Sequence, residues 1–189
     1  MRWSLVVLAA LAVAAGSCAG SDAVTDSDAG VDSADTSSAG PVPVVEAAGE
    51  TPAFVFDVLA AIDAVEAELG PDQRFFEVTA NSQFTNVFVA VDDGTAAIAY
   101  AYVDGELQPP APKQTGAEGQ TFGRDDVTFD PELIVSGVMA DLPESDVDAI
   151  SVYGDGIGAT YVVAATSEVG GFLDIVVGPQ GQVFSVDPV

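Results

Sequence analysis

The chain has 189 residues, of which 30 are acidic and 4 basic, with no histidine and one cysteine, for a formal charge of −26. Four scattered cations cannot make the Lys/Arg cluster that a phosphate backbone requires, so nucleic acid is excluded as a partner. The lack of histidine excludes Ser-His and Cys-His nucleophiles and histidine metal sites, and the lone cysteine excludes a disulfide within the chain.

The first element is an apolar run. Met1-Arg2-Trp3-Ser4 precedes Leu5 to Ala15, and Ala15-Gly16-Ser17 leads directly into Cys18. The run is shorter than the roughly 20 residues a spanning helix needs and has the length of a secretory signal. A small-residue exit followed at once by cysteine resembles a bacterial lipoprotein signal. Gly16 and Ser17 fit that pattern, while Ala15 stands where a larger aliphatic residue is commoner. The resemblance implies removal of residues 1–17, acylation of Cys18 with a palmitate-type lipid, and a place at the extracytoplasmic face of the cell membrane. An ordinary signal cut nearby, after Ser17 or Ala19, is the alternative. Anionic headgroups repel so acidic a chain, so the lipid is the expected membrane contact.

Residues 18–50 are expected to form an acidic spacer. Ala, Gly, Ser, Thr and Asp dominate Ala19 to Gly40 and cannot bury enough surface to offset ordering entropy, and Pro41-Val42-Pro43 favours an extended chain. Asp22, Asp26, Asp28, Asp32 and Asp35 lack the spacing and closing glutamate of a calcium loop.

From Thr51 onward about 140 residues remain, enough for a core. Thr51-Pro52 reads as a cap and first helical position, and Val55, Val58, Ile62, Val65 and Leu69 form an apolar stripe ended by Gly70-Pro71. The period then falls to two. Strands are predicted at Phe75–Ala80, Phe84–Val91, Ala96–Val103 and from Glu106, with turns at Asn81-Ser82-Gln83, Asp92-Asp93-Gly94-Thr95 and Asp104-Gly105. Pro109 to Asp126 reads as a linker. Asp130-Pro131 then opens a second helix striped by Leu133, Ile134, Val138, Met139 and Leu142, followed by strands at Ala149–Tyr153, Ala159–Thr166, Phe172–Val177 and Gln182–Val186.

The order predicts an α+β domain over 51–189. It consists of two tandem helix-then-hairpin units (about 51–108 and 128–189), with an antiparallel sheet and both helices on one face. Alternation in Ala96–Val103 leaves two assignments. If Ala97, Ala99 and Ala101 lie under a helix, then Phe88, Ile98, Tyr100 and Tyr102 make an exposed aromatic strip that is a candidate binding surface. If the large residues are the buried ones, as is usual, the alanines face water.

The tandem helix-hairpin order with the Val103-Asp104-Gly105-Glu106-Leu107 turn resembles PepSY-type domains and the duplicated architecture of β-lactamase inhibitor proteins. Glu66-Ala67-Glu68-Leu69-Gly70-Pro71 through Val103-Asp104-Gly105-Glu106 is similar to actinobacterial envelope proteins. The resemblance implies a non-catalytic module that binds an envelope protein or peptide, without a cofactor. Paired carboxylates (Asp92 with Asp93, Asp125 with Asp126, Glu144 with Asp146 and Asp148) are the residues on which a small-ligand or carboxylate-dependent hydrolytic reading rests. They lie at turns and helix edges, where solvated charge is normal. Gly154-Asp155-Gly156-Ile157-Gly158 does not open a helix and so does not read as a phosphate loop.

Overall fold

The computed structural model describes residues 50–189. Cys18, the apolar run before it and the spacer up to Gly49 lie outside the described residues. Helix α1 (Ala53–Leu69) buries Phe54, Val55, Val58, Ala61, Ile62 and Val65, the three- and four-residue spacing of its apolar stripe. Thr51 is not its cap. Pro52 occupies that position, and no side chain bonds to the first-turn amides. Gly70, at φ +98°, ends the helix, and its N–H donates to the Glu66 carbonyl at 2.9 Å. Helix α2 (Pro131–Asp141) starts as expected. The Asp130 carboxylate accepts from the amides of Glu132 (3.0 Å) and Leu133 (3.1 Å), and Pro131 takes the first turn.

Nine strands form one antiparallel sheet: β1 (Phe75–Asn81), β2 (Thr85–Val91), β3 (Ala96–Val103), β4 (Glu106–Leu107), β5 (Gln114–Thr115), β6 (Ser145–Gly154), β7 (Ala159–Ser167), β8 (Phe172–Val177) and β9 (Val183–Pro188). Their order is β4-β3-β2-β1-β6-β7-β8-β9, with β5 also on β3. Short hairpin connections join most neighbours. The long-range pairing is β1 with β6, where Val78 faces Val152 and Ala80 faces Ile150.

Two expectations are corrected. β6 begins at Ser145, four residues before the predicted Ala149, because a bulge between Val147 and Ala149 shifts the alternation that marks a strand. The segment from Pro109 is not a free linker. Ala111 N–H donates to the Ala99 carbonyl at 2.8 Å, β5 pairs with Ala96 and Ala97, and Phe122 bridges to Phe75 through two backbone bonds. The buried rings of Phe75 and Phe122 pack with centroids 5.7 Å apart. The Tyr161 hydroxyl accepts from the Thr128 amide (3.0 Å) and donates to the Asp126 carbonyl (3.3 Å), which fastens the end of this segment to the sheet.

The core lies on one face of the sheet. Tyr100, Val87, Val78, Val152, Tyr161 and Val177 are consecutive cross-strand neighbours, and all are buried. The parallel row Thr85, Ala80, Ile150, Val163 and Ile175 is buried too. The apolar residues of α1 and α2 join these rows in a single cluster, so both helices cover this face. Each fully buried Val or Ile contributes about 1.5–3 kcal/mol. At the β8–β9 turn, Gly181 (φ +82°) packs against Leu133 and Gly137 of α2, and a Cβ on either glycine would collide with backbone.

Candidate functional site: the open face of the sheet

The alternate positions of the same strands point away from the helices, and no described element covers them. One row across the sheet is Ala101, Asn86, Thr79, Ser151, Val162 and Val176. Beside it runs Ala99, Phe88, Glu77, Tyr153 and Thr160. These residues are partly exposed, and Tyr153 is more so, at 37%. Most are small, so the surface is low and flat, and Phe88 and Tyr153 are its large side chains near the centre.

The expected aromatic strip does not exist as one surface. Tyr100 is buried at 6% exposure, and Ile98 and Tyr102 pack against the core from the helix side. Phe88 alone of the four lies on the open face, opposite Ala99 and Glu77. The reason is size. Facing Val87 and Val89, Tyr100 and Ile98 fill the volume beneath α1, whereas Ala97, Ala99 and Ala101 would leave it empty. The alanines therefore face outward, as the second assignment has it.

β1 and β6 bring the polar centre of this face together. Thr79 Oγ1 donates to Glu77 Oε1 at 2.7 Å and sits 2.8 Å from Ser151 Oγ. Glu77 stands between Phe88 on β2 and Tyr153 on β6. Burial pushes the Tyr153 phenol above its ordinary value. The charges of Glu77 and Asp174 add to this, while the Ser151 and Thr79 hydroxyls pull the other way. Glu77, Tyr153, Thr79 and Ser151 were not singled out by sequence reasoning. The hairpin pairing of Phe88 with Glu77 was within reach of the sequence, but the β1–β6 register that adds Tyr153 was not.

Several of the paired carboxylates are held by local partners. Asp92 accepts from Lys113 Nζ at 2.7 Å beside Asp93 in the β2–β3 turn, and Asp126 faces Arg74 at 3.4 Å. Asp148 accepts from Thr166 Oγ1 at 2.6 Å. A cleft of about 330 Å³ at the end of α1 is lined by Glu66, Asp72, Asp125 and Asp126 together with Arg74 and Arg124. Arg124 reaches Asp63 at 2.7 Å, so both arginines are already engaged. Asp155 closes the β6–β7 turn by accepting from the amides of Ile157 (2.9 Å) and Gly158 (2.7 Å), bonds that hold its carboxyl below the usual range. Among the described residues, no group of three or more acidic or cysteine side chains is placed to hold a metal ion. No described helix is long and apolar enough to cross a membrane. No protein-family model, curated protein or solved structure gives a significant match to this chain.

Proposed function

We propose that this chain is a lipid-anchored cell-envelope protein that binds a protein or peptide, without catalysis, through the open face of its sheet. The observation that carries the reading is the asymmetry of that sheet: two helices bury one face, and the other presents a flat field of small side chains around Phe88, Glu77 and Tyr153. A broad uncovered sheet face in an extracytoplasmic protein has the shape of a recognition surface. The anchor is assigned to Cys18 by its signal-like setting. Glu50, where the described residues begin, shares a groove with Pro52 and with Val135 and Met139 of α2.

The domain is further read as two tandem helix-strand-strand-strand units. What supports this is the strand order, which runs outward in sequence on both sides of the β1–β6 junction, with α1 before one half and α2 before the other. The likeness to PepSY-type and inhibitor-protein architecture rests on the same order. A hydrolytic or small-ligand reading has less support, since in the cleft at the end of α1 Asp126 faces Arg74, and Arg124 is held by Asp63.

A photo-crosslinking residue at Ala99, on the open face, tests the reading against one at Ala140, exposed on α2. In intact cells the first is expected to yield a discrete adduct and the second none. Equal or absent adducts at both positions would reject the open face as the recognition surface.

A further inference from the structure

We propose that the Phe88–Glu77–Tyr153 row seats the guanidinium or ammonium group of a basic peptide segment, an inference that rests on the open-face reading above. Three adjacent strands build the seat. Glu77 of β1 is the direct cross-strand neighbour of Phe88 on β2 and of Tyr153 on β6. Cross-strand Cβ atoms lie about 5 Å apart, so Phe88 and Tyr153 flank Glu77 in a row that spans roughly 10 Å. Ring faces attract cations through their quadrupole, and the carboxylate supplies a full opposite charge between them. Thr79 donates its hydroxyl to Glu77 Oε1 and so orients the carboxylate. Ala99 and Thr160, both small, end the row.

Charge selects the occupant. Glu77, Glu106, Asp174 and Asp187 share this face by register, and the cations of the described residues are engaged elsewhere: Arg74 with Asp126, Lys113 with Asp92 and Arg124 with Asp63. Glu77 thus has an acceptor side and two aromatic walls, with no internal cation to fill the gap. A second copy would bring like charge against like charge, which disfavours self-association through this face. A basic segment brings the complementary charge and is drawn in by the field of the whole anionic domain.

Residue-resolved NMR of the full chain, titrated with the blocked tripeptide acetyl-Ala-Arg-Ala-amide, tests the seat. The Glu77, Phe88 and Tyr153 amides are expected to shift. Affinity is expected to fall at least about five-fold for the uncharged citrulline analogue and for Glu77→Gln. Tyr153→Leu, which keeps apolar bulk but removes the ring, is expected to weaken binding about three-fold or more. Glu68→Gln on α1 makes the same charge change at a distance and should alter affinity less than about two-fold. Equal losses in Glu77→Gln and Glu68→Gln would reduce the effect to general charge and overturn the seat. Open-face shifts that survive Glu77→Gln would also overturn it while leaving the open-face reading intact. Shifts confined to the helix side would overturn both. A response to choline equal to that of the peptide would assign the row to free cations and overturn the peptide assignment.

Discussion

Thr85 sits at 1% exposure on the helix-covered face, and its hydroxyl has no hydrogen-bond partner among the described residues. A buried hydroxyl without a partner is a net loss, and valine has nearly its shape. Thr85→Val is therefore expected to raise stability by about 1 kcal/mol in urea unfolding, whereas Thr85→Ser keeps the hydroxyl, removes the methyl and should lower it. An unchanged or lowered midpoint for the valine variant would show that the hydroxyl is satisfied. Tyr153 makes a second prediction at this scale. Its phenol is raised chiefly by burial and then by Glu77 and Asp174, so the unfolded chain gives up this proton first as pH rises. The stabilising contribution is complete below about pH 10, the unfolded value, and is lost above it. Ultraviolet difference titration of wild type against Tyr153→Phe should place the Tyr153 midpoint above that of free tyrosine, and Glu77→Gln should bring it down. A midpoint at or below the free value contradicts the assigned surroundings.

Helix α2 depends on two local devices with different sequence signatures. Asp130-Pro131 announced the first, and the structure places the Asp130 carboxylate on two first-turn amides. Asp130→Ala is expected to cost about 1 kcal/mol in equilibrium unfolding. The second device is the close approach of Gly137 to Gly181, where α2 lies directly on the β8–β9 turn. Gly→Ala inside a helix normally favours the helix. Here Gly137→Ala should destabilise the domain by about 2 kcal/mol or more, because the new methyl meets backbone that cannot yield. A stabilised Gly137→Ala variant would show that α2 does not rest on that turn. Only the first device was legible from sequence. The helix stripes apart from Leu69 and Leu133, which are exposed, the hairpin turns and most of the strands were legible as well, because their signals are local: a 3.6 period, a period of two, and Gly, Asn or Asp at tight turns. The bulge in β6 and the pairing of Ala111, Gln114 and Phe122 with the sheet were not, since each depends on a partner strand that local composition does not identify. The face assignment of Ile98, Tyr100 and Tyr102 stands between the two groups. Alternation separates two faces without saying which the helices cover, and side-chain volume decided it.

At the scale of the molecule, charge and topology act together. With a formal charge of −26, the chain repels itself, and added salt screens that repulsion. Thermal midpoints should rise by about 5 °C or more between roughly 0.01 M and 1 M sodium chloride. A flat response would mean that the carboxylates are too well solvated for their repulsion to matter. The candidate site is the least legible part, because it is assembled at the β1–β6 junction. Thr79 and Ser151 are 72 residues apart, and nothing near either announces the other. What composition did convey was the absence of histidine and of clustered cations, which removes histidine-dependent nucleophiles and phosphate-backbone binding before any strand is placed. The central claim is that one face of this sheet is dry under its helices and the other is occupied by a partner where the protein works. One added cysteine, at Ala99 or at Ala140, with labelling read at that position separately from Cys18, measures this through maleimide labelling in intact cells and in the purified protein. Both should react in the purified protein, and only the cysteine at position 99 should be protected in cells. Equal labelling of the two positions in cells would contradict the account.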